Sequence, residues 1–271
     1  MSLDDLPWEP IIRLVGFACV FAPMALWEFW APRRKLNVGR GRRWPNNLAI
    51  VVIDTVLVRL LIPTAAVGVA LIASGYGFGL FNQTSWPLTV EALLGFLILD
   101  LVIWGQHVMF HRVPWLWRLH RMHHADLDID VTTGLRFHPI EILLSMLIKM
   151  ATVALFGIPA VAVILFEVVL NATSMFSHSN ARMPAWLDRV LRLVVVTPDM
   201  HRVHHSIDPS ETNSNYGFNM PWWDWLFGTY RAAPKAGHDG MTIGLPIFRD
   251  PGELRVDRLL TQPFRNDRTK P

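Results

Sequence analysis

Cysteine is almost missing: the 271 residues contain one, Cys19, inside an apolar stretch. An internal disulfide and a thiolate-held iron–sulfur cluster are both excluded, so any metal is held by imidazole or carboxylate. Charge is scarce as well, 17% of residues against 52% hydrophobic, which is too apolar for an ordinary soluble domain of this size. The leading class is a membrane protein. The net charge is only +3, and much of the basic excess sits in one stretch, Arg33, Arg34, Lys35, Arg40, Arg42 and Arg43. Beside an apolar span, such a run reads as a cytoplasmic loop facing anionic lipid, so no nucleic-acid partner is expected. The first ten residues are acidic and lack a basic n-region, so a cleaved signal peptide is not expected. The zinc-protease pattern HExxH is absent, because Val108, Arg121 and Arg202 stand where its glutamate would be. A nucleotide-binding glycine fingerprint is absent too, since Gly75, Gly77 and Gly79 lack a strand–turn–helix setting.

What is present in quantity is apolar sequence. Four regions stand out, at roughly 11–30, 48–73, 88–106 and 140–177. About 20 apolar residues cross a bilayer, so the first three each fit one crossing and the fourth is too long for one. Gly157, Ile158 and Pro159 fall near its middle, which predicts a hairpin whose arms begin and end on the same side. The basic loop Arg33–Arg43 places the N-terminus outside by the positive-inside rule. Counting crossings then puts Ser74–Pro87 outside and brings the third helix and the hairpin back to the cytoplasm near His107 and His178. Trp8, Trp27, Trp30, Trp44 and Trp86 flank the span ends, where indole rings favour the interface, although core packing suits each one singly as well. Trp186–Val196 has apolar residues at helical spacing and suits either the interface plane or an ordinary amphipathic packing helix. The stretch after Ala232 is polar and rich in Pro and Gly, and reads as extended.

Histidine is the chain's most informative residue. HVMFH at the end of the third span gives His107 and His111, four apart and so on one helical face. HRMHH gives His120, His123 and His124, HRVHH gives His201, His204 and His205, and a lone His178 sits in FSHSN. One histidine alone is more often a packed or surface residue. Eight in three tight clusters without interleaved acids would repel one another if protonated, whereas neutral imidazoles around a metal would not. So many ligands exceed what one ion accepts and imply two. Imidazole-rich six-coordinate sites suit iron doing oxygen chemistry better than a closed zinc site. Asp199 and Asp126, each two residues from a histidine cluster, are candidates to orient the imidazoles, with a helix cap or a surface charge as their simpler role. Asp100, seven residues before His107 on the same face, is a third, and pairing with Arg59 or Lys149 is its simpler role. Asn215, Tyr216 and the aromatic run Trp222, Trp223, Trp225 and Phe227 suit either the site's lining or packing.

HVMFH, HRMHH and HRVHH, with RFHPIE and FSHSN between and NYGFNMPWWDWLFGTY after, resemble the fatty acid hydroxylase and sterol desaturase superfamily of membrane di-iron enzymes. The resemblance covers about residues 95–231. It implies an all-α membrane bundle of about four spanning segments under a cytoplasmic histidine-rich cap, and oxygen-dependent hydroxylation or desaturation of a lipid. Sterol-like, fatty acyl, ether lipid and carotenoid substrates all fall within it. The ligands it implies for two irons are His107, His111, His120, His123, His124, His201, His204 and His205, with His178 as an additional ligand and His138 as a ligand or supporting residue. Some relatives carry an acid directly after the first box, where this chain has Arg112, so that role does not transfer. Residues 1–94 would then be membrane helices and the basic loop, 95–231 the catalytic domain, and 232–271 a polar tail. A separate electron donor, a ferredoxin, cytochrome or reductase, is implied by the absence of a nucleotide site. The competing class is a metal-handling membrane protein, a transporter or sensor, whose ligands would sit near the bilayer midplane.

Overall fold

A computed structural model of the chain describes residues 8–265. Among the described residues the fold is all-α, without a strand, and five stretches are long and apolar enough to cross a membrane. These are α1 (Glu9–Trp30), α2 (Arg40–Leu61) continuing into α3 (Ala65–Gly75), α4 (Leu88–Arg112), α6 (Pro139–Phe156) and α7 (Ala160–His178). The expected hairpin is α6–α7. Gly157 ends α6 with φ +66°, a left-handed turn that glycine adopts without strain, and α7 restarts after Pro159.

The second apolar region forms one candidate span, as a single crossing requires, but as a longer helix broken in the middle. Helix α2 starts at Arg40, well before the apolar run, and the chain breaks at Ile62, Pro63 and Thr64 before α3. Pro63 supplies no backbone N–H and its ring clashes with the preceding turn, which stops α2. Its first two turns wind outside the apolar zone because Arg43 and Asn47 are buried against the cap. Helix α4 has 25 residues. At 1.5 Å per residue it is about 37 Å long, longer than the roughly 30 Å hydrocarbon core, so its last turns with His107 and His111 stand beyond the apolar zone.

The bundle packs along one seam. Ala66 and Val67 of α3, Leu99 and Ile103 of α4, Val153 of α6, and Val163 and Phe166 of α7 form its largest buried apolar cluster. Leu14, Leu60, Leu93, Leu155 and Leu165 face outward. That is the pattern of helices solvated by lipid tails.

Above the bundle lies a cap of α5 (Pro114–His124), the loop to Pro139, α8 (Ala185–Leu191), α9 (Pro198–His204) and the chain that follows. Its anchor is a buried charge network. Arg43 donates to both oxygens of Asp126 at 2.8 Å, to Asp130 and to Thr133, all fully buried. Burial alone would raise the Asp126 carboxyl, but Arg43 and Arg136 outweigh it and hold the group well below the usual carboxylate range.

Two expectations are corrected here. The basic run is not simply a lipid-facing patch: Arg33 pairs with Asp199 and Asp239, Arg34 donates to the carbonyls of His238 and Met241, and Arg43 is internal. Only Lys35 and Arg42 of that run are exposed. The polar tail is not extended either. Met241 and Ile243 pack on Ile129, Phe248 on Ala125, Leu254 on Val38 and Leu127, and Leu259 on Ile50 and Met122. Widely spaced apolar residues, with no helical period, carry it over the cap as a strap. Trp186, Val190 and Val194 remain exposed around α8.

Removing one partner of a fully buried pair strands the other, so Arg43→Met should lower stability in detergent by about 3–5 kcal/mol. The exposed pair Arg255–Asp257 serves as the reference, and Arg255→Met should stay within about 0.5 kcal/mol. Unfolding curves of the two variants check this.

Candidate metal centre

Four segments deliver nine imidazoles to one volume at the head of the bundle: the end of α4, α5, the last residue of α7, and α9 with His205 after it. They divide into two groups. His107, His111, His120, His124 and His204 form one; His123, His178, His201 and His205 form the other. Within each group the candidate ligand atoms lie within 4.8 Å of one another. The division follows helix geometry. In each HRxHH triplet the i, i+4 pair shares a face and enters one group, while the i+3 residue enters the other. The two triplets therefore interlock, each completing the partner's group.

Hydrogen bonds decide which ring nitrogen is free. His107 Nδ1 donates to the Tyr216 carbonyl at 2.7 Å, His178 Nδ1 to Ser174 at 2.7 Å, His204 Nδ1 to Ser214 at 2.7 Å and His123 Nδ1 to Arg136 at 3.1 Å. A carbonyl can only accept, so each of these Nδ1 atoms carries the proton and each Nε2 presents a lone pair. His120 Nδ1 is held the same way by Glu141 Oε1 at 2.6 Å.

The Nε2 atoms then meet one another. His178 Nε2 lies 3.1 Å from both His123 Nε2 and His201 Nε2, and His107 Nε2 lies 3.1 Å from His120 Nε2. For His178 with His123, and for His107 with His120, the neutral rings have no proton to place between these nitrogens. Two facing lone pairs at that distance repel unless a cation lies beside them. Two imidazoles at right angles on an ion about 2.1 Å away are separated by about 3.0 Å, so the spacing fits shared metal ligands. Nε2 of His124, His204 and His205 is also buried without a hydrogen-bond partner. The donor set fits one metal ion in each group.

Burial keeps the rings neutral. It pushes His120 down to about 3 and His123, His124, His201, His204 and His205 well below the ordinary value of 6.5. Aromatic rings close the volume: Phe137 stacks on His123 at 4.4 Å, Phe218 lies 4.9 Å from His107 and Tyr216 5.1 Å from His111.

The other candidates go elsewhere. His138 caps α6, accepting from Ile140 N at 3.2 Å and facing the Leu260 carbonyl at 3.2 Å through Nε2. It belongs to neither group. Asp126 is committed to Arg43, and Asp199 to Arg202 and Arg33, with His238 3.7 Å from it; neither pairs with a histidine of the two groups. Asp100 accepts from Trp223 Nε1 at 2.7 Å and ties α4 to the short helix Trp222–Leu226. Its suggested partner Lys149 pairs with Glu167 instead. Tyr216 and Asn215 divide: the Tyr216 ring and carbonyl touch the site, whereas Asn215 bonds Met200 and Arg231 carbonyls. The supporting residue missed in the sequence is Glu141. Its signal was the position three residues after a helix cap, in the same RFHPIE segment.

A cavity of about 920 Å³ runs down the bundle from His107, His120 and Phe137 between α2, α4, α6 and α7.

Removal of the Glu141 carboxylate frees the His120 ring. Glu141→Ala should weaken metal retention about 10–100-fold in competition with a chelator, and Glu141→Gln, which keeps an acceptor oxygen, should lose much less. The metal-free protein should also lose stability with acid. The unfolded rings take up protons below about pH 6.5 while the buried ones stay neutral well below that, His120 down to about 3, so stability falls as the pH drops below 6.5. An unfolding midpoint that stays flat from pH 7 to pH 4 would contradict buried neutral imidazoles.

A family model described as fatty acid hydroxylase matches residues 92–229, half of the chain. Ornithine lipid hydroxylase OlsE of Rhizobium tropici is 31% identical over 155 residues, 57% of this chain and 46% of that protein. Cholesterol 25-hydroxylase of Rattus norvegicus is 28% identical over 150 residues, 55% and 49% of the two chains, and alkylglycerol monooxygenase of Homo sapiens 30% over 173 residues, 63% and 37%. The chain thus spans half or less of the length of these relatives. No solved structure matches it. With its histidine segments all inside the matched region, the chain belongs to the fatty acid hydroxylase family.

Proposed function

We propose that this chain is a membrane oxidase that holds two iron ions, one in each histidine group, and uses molecular oxygen to hydroxylate or desaturate a lipid C–H bond. The observation that carries the reading is the cavity that leads from the membrane-spanning helices to His107 and His120. Its volume suits an acyl or polycyclic chain, and its upper walls, Ile103, Phe110, Phe137 and Phe218, are apolar. The relatives are named for ornithine lipid, cholesterol and alkylglycerol, all lipids. Bound iron would supply the oxygen-activating chemistry.

The chain's own residues do the rest. Carbonyls of Tyr216, Ser174, Ser214 and Arg136 fix the tautomer of four rings, and Glu141 fixes His120. Phe137, Phe218 and Tyr216 exclude water from the space beside the ligands. A substrate carbon is delivered from the lipid side, so the polar cap faces the electron donor, a separate ferredoxin, cytochrome or reductase. By the charge distribution of the loops the N-terminus lies outside and the centre on the cytoplasmic side, at the inner membrane in a bacterium. Residues 95–231 carry the catalytic segments, and residues 232–265 complete the cap around them.

Lipids from cells supplied with oxygen-18 gas should carry the label when the protein is present, or a new double bond without label if the outcome is desaturation. His123→Ala and His204→Ala should abolish that product by at least about a hundredfold while the protein still inserts in the membrane. A lipid profile unchanged by the iron-loaded protein would defeat the reading.

A further inference from the structure

The end of the cavity remote from the histidines is charged, which is costly among spanning helices unless the charge is paired or used. Glu167 of α7 accepts from Arg13 of α1 at 2.6 Å and from Lys149 of α6. Arg59, in the last turn of α2, lines the same cavity about 7.5 Å further along its helix from Asp54, is exposed, and has no ion-pair partner among the described residues. Two cations therefore share one carboxylate, and a third stands unpaired in the same cavity. The other two carboxylates of the cavity, Glu141 and Asp54, lie toward the metal end: Glu141 bonds His120, and Asp54 sits within the field of Glu141. The cavity's basic side chains thus gather at the far end, away from the histidines, while its other two acidic side chains lie toward the metal groups.

Counting eight residues of α6 from Glu141 to Lys149, the two ends are about 12 Å apart along the helix. Eleven residues of α7 from His178 to Glu167 give about 16 Å. Both ends belong to one continuous space.

We propose that this far end is an anion seat: Arg59 and Lys149 bind an oxyanion, a carboxylate or phosphate, borne by a long-chain amphiphile whose other end reaches the histidines. The seat fixes which carbon lies at the metal groups, by the distance from anion to centre. It rests on the lipid-oxidase reading for its purpose, but binding is measured without turnover. Lys149 keeps its amine near the open space while Glu167 holds it and Arg13 offsets the carboxylate. Arg59 is the unengaged cation that approaches the anion directly.

The test uses the iron-loaded protein in detergent and three probes of equal chain length: hexadecanoic acid, hexadecyl phosphate and hexadecanol. At least one anionic probe should bind about tenfold more tightly than the alcohol, and which one identifies carboxylate or phosphate as the source. Arg59→Gln and Lys149→Met should each remove most of that preference and leave hexadecanol affinity within about twofold. Equal binding of all three probes overturns the proposal. So does a preference that survives in Arg59→Gln, which is exposed and folds without a lost pair, because the anion would then sit on the metal ions. Absence of oxidase activity with the anion preference intact would sink the oxidase reading and leave the seat standing.

Discussion

The molecule depends on a constraint of proton placement. A neutral imidazole has one N–H, and in His107, His123, His178 and His204 that proton is spent on a main-chain carbonyl. What remains on each ring is a lone pair, and the lone pairs converge at 3.1 Å within two interlocked groups. Without cations this is an array of unpartnered acceptors in a buried volume, a costly arrangement. With cations it is a preorganised ligand set. The surroundings are arranged around that choice, from the aromatic rings that keep water out to the burial that holds the rings unprotonated.

Holding the groups together requires a rigid cap, since four separated segments contribute. Arg43 supplies much of that rigidity. It reaches from the first turns of α2 into the loop directly after His124, so the second histidine segment is tied to a spanning helix through Asp126. The strap formed by residues after Ala232 closes the outer side, with Arg121 of the same segment donating to the Gln262 carbonyl. Charges that looked like a membrane-facing patch are thus turned inward to hold the ligand frame.

Patterns carried by side chains were readable in the sequence. The spacing of His107 with His111 and of the two HRxHH triplets specifies shared helical faces, and Gly157 with Pro159 specifies the hairpin. What could not be read is carried by the backbone or by distant partners. The carbonyls of Tyr216, Ser174, Ser214 and Arg136 have no residue signature. Asp126, Asp199 and Asp100 were plausible supports by proximity in sequence, yet Asp126 and Asp100 have stronger partners far along the chain, in Arg43 and Trp223, and Asp199 is held by Arg202 and Arg33. Glu141 was overlooked because its neighbour His138 looked like the chemistry-bearing residue. The tail was misread because its apolar residues lack a period, although six of them are buried.

Converging lone pairs in two groups, one of five imidazoles and one of four, call for one ion in each. Metal analysis of protein purified after iron-replete expression tests this directly. Close to two irons per chain is the predicted result. A value near one, or zinc in place of iron, would contradict it.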